Sequence, residues 1–203
     1  MKTIVFTQRV EVIASYNERR DCADQRISEF IAACGYLPVP LPNNASLAVQ
    51  LVEALAPAGI ILTGGNSLVK YGGNAPERDA TDASLIDHSV RRGLPLYGFC
   101  RGMQSILDFF GNKLVDVQGH VAVRHKVQGE QGGRFVNSYH NQGCLDLESQ
   151  LLTADLLSED GVIEKISHKL LPITGTMWHP ERENPFMTLD IQFVQNLIEG
   201  GKQ

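Results

Sequence analysis

The stretch "LPLYGFCRGMQSILDFF", residues 94–110, decides how this chain is read. An apolar run ends at Cys100, which lies between Gly98 and Gly102, and a segment of helical period begins at once. In this G-x-C-x-G pattern the glycines allow a tight turn from strand to helix that pushes the cysteine side chain out at the carboxyl end of the strand. Working outward from it, three further β-branched or aromatic runs precede it: "TIVFT" (3–7), "YLPVPL" (36–41) and "GIILT" (59–63). They alternate with helical stretches at about residues 22–34, 46–55 and 79–92. Each run is continuous rather than alternating, as in strands buried on both faces. A β-α-β-α rhythm of this kind predicts an α/β domain with a doubly wound, mostly parallel sheet.

After a helix at about 101–110 the rhythm loosens. "GRFVNSYHNQG" (133–143) and "GVIEKISHKLLPITGTMW" (161–178) read as shorter, partly antiparallel strands, and "PFMTLDIQFVQNLIEGG" (185–201) reads as a closing amphipathic helix. The segments 64–79 and 119–133 lack clear periodicity and read as long loops, which in compact domains are often functional. The 203 residues, 43% of them hydrophobic, suffice for one domain over 1–203 with a substantial core. No stretch of about 18 apolar residues suggests a membrane span, and the N-terminus does not read as a signal peptide, so a cytoplasmic protein is expected. A net charge of -5 without a basic patch argues against nucleic acid. Four cysteines without C-x-x-C pairs make a disulfide framework or zinc knuckle an unneeded reading.

The helix after Cys100 aims its N-terminus at the sulfur, which favours a thiolate over a free thiol of pKa about 8.5, and the Arg101 N–H is placed to donate to an oxyanion. A thiolate nucleophile generally works with an imidazole. Of the six histidines, His179 stands out in "LPITGTMWHPERE", where Pro180 fixes the backbone and Glu181 can turn back to orient the ring. Cys100, His179 and Glu181 are then nucleophile, base and orienter. Alone, "HPE" would equally suit a solvated turn, and a lone cysteine would equally fill a core gap. His120 and His125 present no ligand set and read as loop residues, so no metal is assigned.

Through "GFCRGMQ" and "WHPE" the chain resembles the class I glutamine amidotransferase superfamily, with its flavodoxin-like domain, and within it the gamma-glutamyl hydrolase-like peptidases. "ILTGGNSLVKYGG", "RD" (78–79) and "VNSYHNQG" extend the resemblance over nearly the whole chain. The resemblance implies an oxyanion hole from the N–H groups of Gly65 and Arg101. It also implies substrate contacts from Gln104, Ser138, Tyr139 and His140, partly through backbone groups. "VEVIASYNERRDCADQRISEF" (10–30) places a charge run in the loop after the first strand, at the active-site edge. It reads either as a solvated face or as a leaving-group site in which Arg19 and Arg20 grip a phosphate or carboxylate. This run with residues 64–79 also resembles a bacterial subgroup, associated with surface-polysaccharide genes, that cleaves gamma-glutamyl-CDP-amidate in capsule phosphoramidate synthesis. The expected activity is hydrolysis of a small gamma-glutamyl amide to glutamate without metal or organic cofactor. The alternatives are a glutaminase subunit feeding ammonia to a separate synthase partner and an inactive binding module. A homodimer is compatible with either enzyme.

Overall fold

The computed structural model describes residues 1–130 and 132–200. Its strands are β1 (Thr3–Phe6), β2 (Arg9–Ile13), β3 (Glu18–Cys22), β4 (Leu37–Pro40), β5 (Gly59–Leu62), β6 (Leu96–Phe99) and β7 (Val115–Asp116), followed by β8 (Val121–Gly129), β9 (Gly132–Tyr139), β10 (Gln142–Gly143), β11 (Leu152–Ser158), β12 (Ile163–His168) and β13 (Ile173–Thr176). The helices are α1 (Gln25–Ala33), α2 (Ala45–Leu55), α3 (Pro76–Arg92), α4 (Arg101–Phe109) and α5 (Thr188–Ile198). The central sheet runs β4-β1-β5-β6-β13-β12-β11-β8-β9. Its first five strands are parallel, and the rest form an antiparallel arm.

Three of the four apolar runs, those of β1, β5 and β6, have the cause inferred from them; the run at 36–41 instead forms β4 at the edge of the sheet, where Leu37 and Pro40 are exposed. Ile4, Phe6, Ile61, Tyr97 and Phe99 face one way, against Ile27, Phe30 and Ile31 of α1 and Val194, Leu197 and Ile198 of α5. Their neighbours Val5, Ile60, Leu62 and Leu96 face the other way, against α2, α3 and α4 through Ala48, Val52, Leu85, Ile86, Met103 and Ile106. Period-two side chains thus serve two helix layers, which is the doubly wound α/β arrangement expected. Local signals set the helix ends. Asp24 and Asn44 accept from the backbone N–H of Arg26 and Leu47 as N-caps, Pro76 opens α3, and Gly93 closes it in the left-handed conformation. No helix among the described residues is long and apolar enough to cross a membrane.

Two expectations need correction. Within residues 10–30, whose charge run reads as lying in a loop, the chain instead forms the antiparallel ribbon β2–β3, whose register pairs Arg9 with Cys22 and Ile13 with Glu18. The ribbon buries only Val10 and its second strand is charged throughout Glu18–Asp21, so the short alternation in "RVEVI" (9–13) is masked by the charge run that follows. Residues 119–133, also read as a loop, contain β8, which pairs along β9 from Val121–Tyr139 to Gly129–Gly132. His125 lies in that strand, and His120 is buried just before it. The segment 64–79 is irregular up to Pro76 apart from a short 3-10 turn at Val69–Tyr71. Residue 201, at the end of the expected closing helix, lies outside the described residues.

β5 and α4 meet at a close backbone approach. A Cβ on Gly102 would collide with the Leu62 carbonyl oxygen, so the helix lies on the strand only because residue 102 has no side chain. Gly102→Ala should therefore cost roughly 1–3 kcal/mol by overpacking, read as a lower urea midpoint at unchanged slope. A wild-type midpoint would contradict this close approach.

Candidate active site

Four connections leave the carboxyl ends of parallel strands β1, β5, β6 and β13, where open α/β sheets bind ligands. Cys100 occupies the one between β6 and α4 with φ 51° and ψ -111°. For a residue with a Cβ that conformation is strained by about 1–3 kcal/mol. It is held by the Cys100 N–H donating to the Thr176 carbonyl at 2.7 Å, while the Cys100 carbonyl accepts from Gln104 N at 3.1 Å. The strain thus sits on the cysteine, while Gly98 and Gly102 give the close backbone approach that makes the turn possible.

His179 follows β13. Asn137 of β9 clamps its backbone twice, accepting from His179 N at 2.9 Å and donating to its carbonyl at 2.8 Å. Pro180 then opens the 3-10 turn Pro180–Arg182, which brings Glu181 back so that His179 Nδ1 donates to Glu181 Oε1 at 2.7 Å. Arg26 braces this turn by donating to the carbonyls of Glu181 and Glu183. Both members of the His179–Glu181 pair are buried. Burial alone would lower the imidazole pKa, but the facing Cys100 sulfur and the Glu181 carboxylate outweigh it and raise His179 to about 10. The ring is therefore an imidazolium at neutral pH, able to give a proton.

The loop 63–66 after β5 faces this pair. Its conformation is imposed by Arg78, whose buried guanidinium donates to the carbonyls of Thr63, Gly64 and Gly65 and to Asn66 Oδ1. With the carbonyls turned into the arginine, Gly65 takes φ +85°, a conformation that disfavours any Cβ. At Gly64 a Cβ would meet His179 Cε1 at 2.7 Å. Asn66 ties the loop to the ribbon by accepting from Val10 N and donating to Val10 O. The Arg101 N–H begins α4 and has no partner within the helix, and its guanidinium is anchored on Asp79 and Asp82 of α3. Gly65, Cys100 and Arg101 line one cavity.

Two cavities share His179, Gly65 and Arg182 as a common wall. One, of about 190 Å³, holds Cys100, Gln104, Tyr139 and Gln142. The other, of about 250 Å³, lies against the ribbon and is lined by Arg9, Glu11, Asp24 and Thr63 among others. Of the residues read from the sequence, Cys100, Arg101, Gln104, Tyr139, His179, Glu181 and Gly65 all line one cavity or both. Tyr139 stands edge-on to the His179 ring, with Arg182 over its own ring at 4.3 Å. Ser138 does not present its side chain: it is buried, and its Oγ donates to the His120 carbonyl at 2.8 Å. The His140 ring is turned away too, donating from Nδ1 to the Gln142 carbonyl and approaching Glu164 with Nε2, so only the outer atoms of the residue border the cavity. Strand alternation explains both, because 138 and 140 share the face opposite to 139.

Arg19 and Arg20 line neither cavity. Arg19 is a strut to Glu77 and the Asn74 carbonyl, and Arg20 pairs with Glu18 on the exposed ribbon. Besides Arg101, the arginines that line the cavities are Arg9 and Arg182, which the sequence reading missed, as it missed Arg78 and Asn137. The "RD" at 78–79 and the asparagine in "VNSYHNQG" were the available signals.

Because Glu181 raises the His179 pKa, Glu181→Gln should lower it from about 10, as followed by NMR titration of the imidazole. A pKa raised above the unfolded value of about 6.5 contributes stability that is complete below that pH and lost as pH rises through about 10. The variant should therefore lose this contribution at lower alkaline pH than the parent. An unchanged imidazole titration would contradict the coupling.

Comparison with known proteins agrees with this geometry. The Peptidase C26 family model matches residues 4–181. A gamma-glutamyl-CDP-amidate hydrolase of Campylobacter jejuni is 31% identical over 191 residues, covering 93% of this chain and 94% of that protein. A gamma-glutamyl-gamma-aminobutyrate hydrolase of Escherichia coli O157:H7 is 30% identical, covering 89% and 88%. Among solved structures, a putative GMP synthase component of Thermoplasma acidophilum superposes with a TM-score of 0.73 at 20% identity, over 98% of this chain and 94% of that one, a likeness of fold. A cysteine at a strained strand-to-helix turn, a carboxylate-held histidine and a family match spanning both lead to one conclusion: the chain belongs to the Peptidase C26 family.

Proposed function

We propose that the protein hydrolyses gamma-glutamyl amides through a thioester on Cys100, and that the departing nitrogen carries an anionic group. The observation that carries this reading is the position of His179, paired with Glu181 and Cys100, in the wall between two cavities. The cavity that holds Cys100, Gln104 and Tyr139 takes the glutamyl group, and the cavity with Arg9 and Arg182 takes the leaving group. The named activities of the two relatives, both gamma-glutamyl hydrolases, support the substrate class.

The Cys100 thiolate attacks the gamma-carbonyl carbon, and the developing oxyanion is met by the N–H groups of Gly65 and Arg101. His179 gives its proton to the amide nitrogen as the C–N bond breaks, which leaves a neutral thioester and a free amine or amidate. Loss of the thiolate charge removes the largest influence that raises the imidazole pKa, so the same ring now accepts a proton from water. The hydroxide formed adds to the thioester, and collapse releases glutamate and the cysteine. Glu181 holds the ring in one tautomer throughout. Arg182, shared by both cavities, and Arg9, 3.5 Å from Glu11, are the two cations that can meet the departing group, while Glu11 and Asp24 of the same lining limit where an anion can sit. An anionic group such as the nucleotide amidate of the Campylobacter relative would pair with these two guanidinium groups.

The test is glutamate release by the purified chain from glutamine, gamma-glutamyl-gamma-aminobutyrate, a gamma-glutamyl peptide and gamma-glutamyl-CDP-amidate. Turnover of an anionic conjugate should exceed that of glutamine, and Cys100→Ala should lower kcat by at least about 10⁴-fold. Full activity of that variant would remove Cys100 from the chemistry. Arg9→Ala, which touches only the leaving-group cavity, should raise KM for the anionic conjugate about 10- to 100-fold with little change for glutamine, the loss of a charge-assisted hydrogen bond. Equal effects on both substrates would exclude Arg9 as the leaving-group contact.

A further inference from the structure

Behind β9, on the face opposite to Tyr139, three histidines converge on one buried carboxylate. His120 Nδ1 and His140 Nε2 each stand 3.3 Å from Glu164 Oε1, and His125 Nε2 stands 3.5 Å from the same atom. The Glu164 side chain is fully buried, and those of His120 and His140 nearly so. None of these three ring nitrogens, nor either Glu164 oxygen, makes a hydrogen bond among the described residues. Unpaired buried polar atoms are costly, and five at one point are unusual.

The outer ring nitrogens fix the protonation of the inner ones. His120 Nε2 faces Asp160 Oδ2 at 2.9 Å and His140 Nδ1 faces the Gln142 carbonyl at 3.1 Å. Both partners only accept, so both outer nitrogens carry the proton. In neutral rings His120 Nδ1 and His140 Nε2 are then bare lone pairs pointing at a carboxylate oxygen, a repulsive arrangement. A divalent cation placed between these atoms turns that repulsion into ligation, since neutral imidazoles and a carboxylate bind it and the two carboxylates balance its charge.

We propose that His120 Nδ1, His140 Nε2 and the Glu164 carboxylate bind a zinc-type divalent ion, with His125 Nε2 beside the carboxylate in the surrounding layer. The donor atoms of His120, His140 and Glu164 lie within 4.8 Å of one another. The distances of 3.3 Å from His120 and His140 to Glu164 Oε1 match the edge of a tetrahedron, about 3.3 Å, whose bonds are roughly 2.0–2.1 Å. Asp160 and the Gln142 carbonyl belong to the usual second layer, in which a ligating imidazole donates its other N–H to a carboxylate or carbonyl, and His125 Nε2, 3.5 Å from Glu164 Oε1, supports the ligating carboxylate. Buried on the face opposite to Tyr139, the ion is structural. It joins β8, β9 and β12, and so fixes the end of the strand that presents Tyr139.

The experiment incubates the full-length protein with zinc, removes free metal by dialysis, and measures bound metal by mass spectrometry. One equivalent should remain in the wild type and in Cys100→Ala, and it should be lost in Glu164→Gln. Cobalt substituted into the metal-free protein should give the strong visible absorption of a tetrahedral site without a sulfur-to-cobalt charge-transfer band. That spectrum decides the matter without relying on whether Glu164→Gln folds. His125→Ala, at the most exposed of the four positions, should weaken zinc affinity about 10- to 100-fold while the chain stays folded. Failure of the wild type to retain zinc or take up cobalt would overturn the proposal, as would a cobalt–sulfur band or metal that is lost with Cys100→Ala.

Discussion

One buried cation organises the reactive edge of this protein. The Arg78 guanidinium has no access to solvent and meets its desolvation cost with the carbonyls of three consecutive residues, Thr63, Gly64 and Gly65. Peptide groups are planar, so drawing three successive carbonyls to one side sends their N–H groups elsewhere. The loop 63–66 is therefore shaped from behind, by an arginine on α3. The same helix sends Asp79 and Asp82 to the Arg101 side chain, so α3 holds both the loop and the turn after Cys100. Two segments that follow different strands are thereby fixed relative to one another by a single rigid element.

Much of this was legible in the sequence, and the boundary of legibility has a physical basis. The strand-to-helix cysteine, the four parallel strands read as apolar runs and the His179–Glu181 pair are local patterns, each set by residues within a few positions of one another. What escaped was set across the chain. Asn137 clamps a backbone 42 residues away, and Arg9 reaches the cavity only because the β2–β3 ribbon folds over the loop that Asn66 secures. The ribbon itself escaped because it buries only Val10 and its charged second strand hides the short alternation of the first.

The reading of "SYH" as three substrate contacts shows a different limit. Consecutive strand residues point to opposite faces, so one short motif can serve two sites. Tyr139 meets the histidine of the active edge, whereas Ser138 and His140 look into the body of the antiparallel arm. A motif marks a place in the fold, and alternation decides which side of it each residue serves.

The backbone at Cys100 has a consequence for how stable this chain can be. A left-handed φ is one that glycine adopts freely and a cysteine does not, so the residue carrying the sulfur holds the turn in a conformation its own Cβ opposes. The positive φ therefore costs the folded state about 1–3 kcal/mol of backbone strain that glycine at that position would not incur. Selection for backbone ease alone would replace the cysteine, so its presence at a strained position points to a constraint other than stability at that residue.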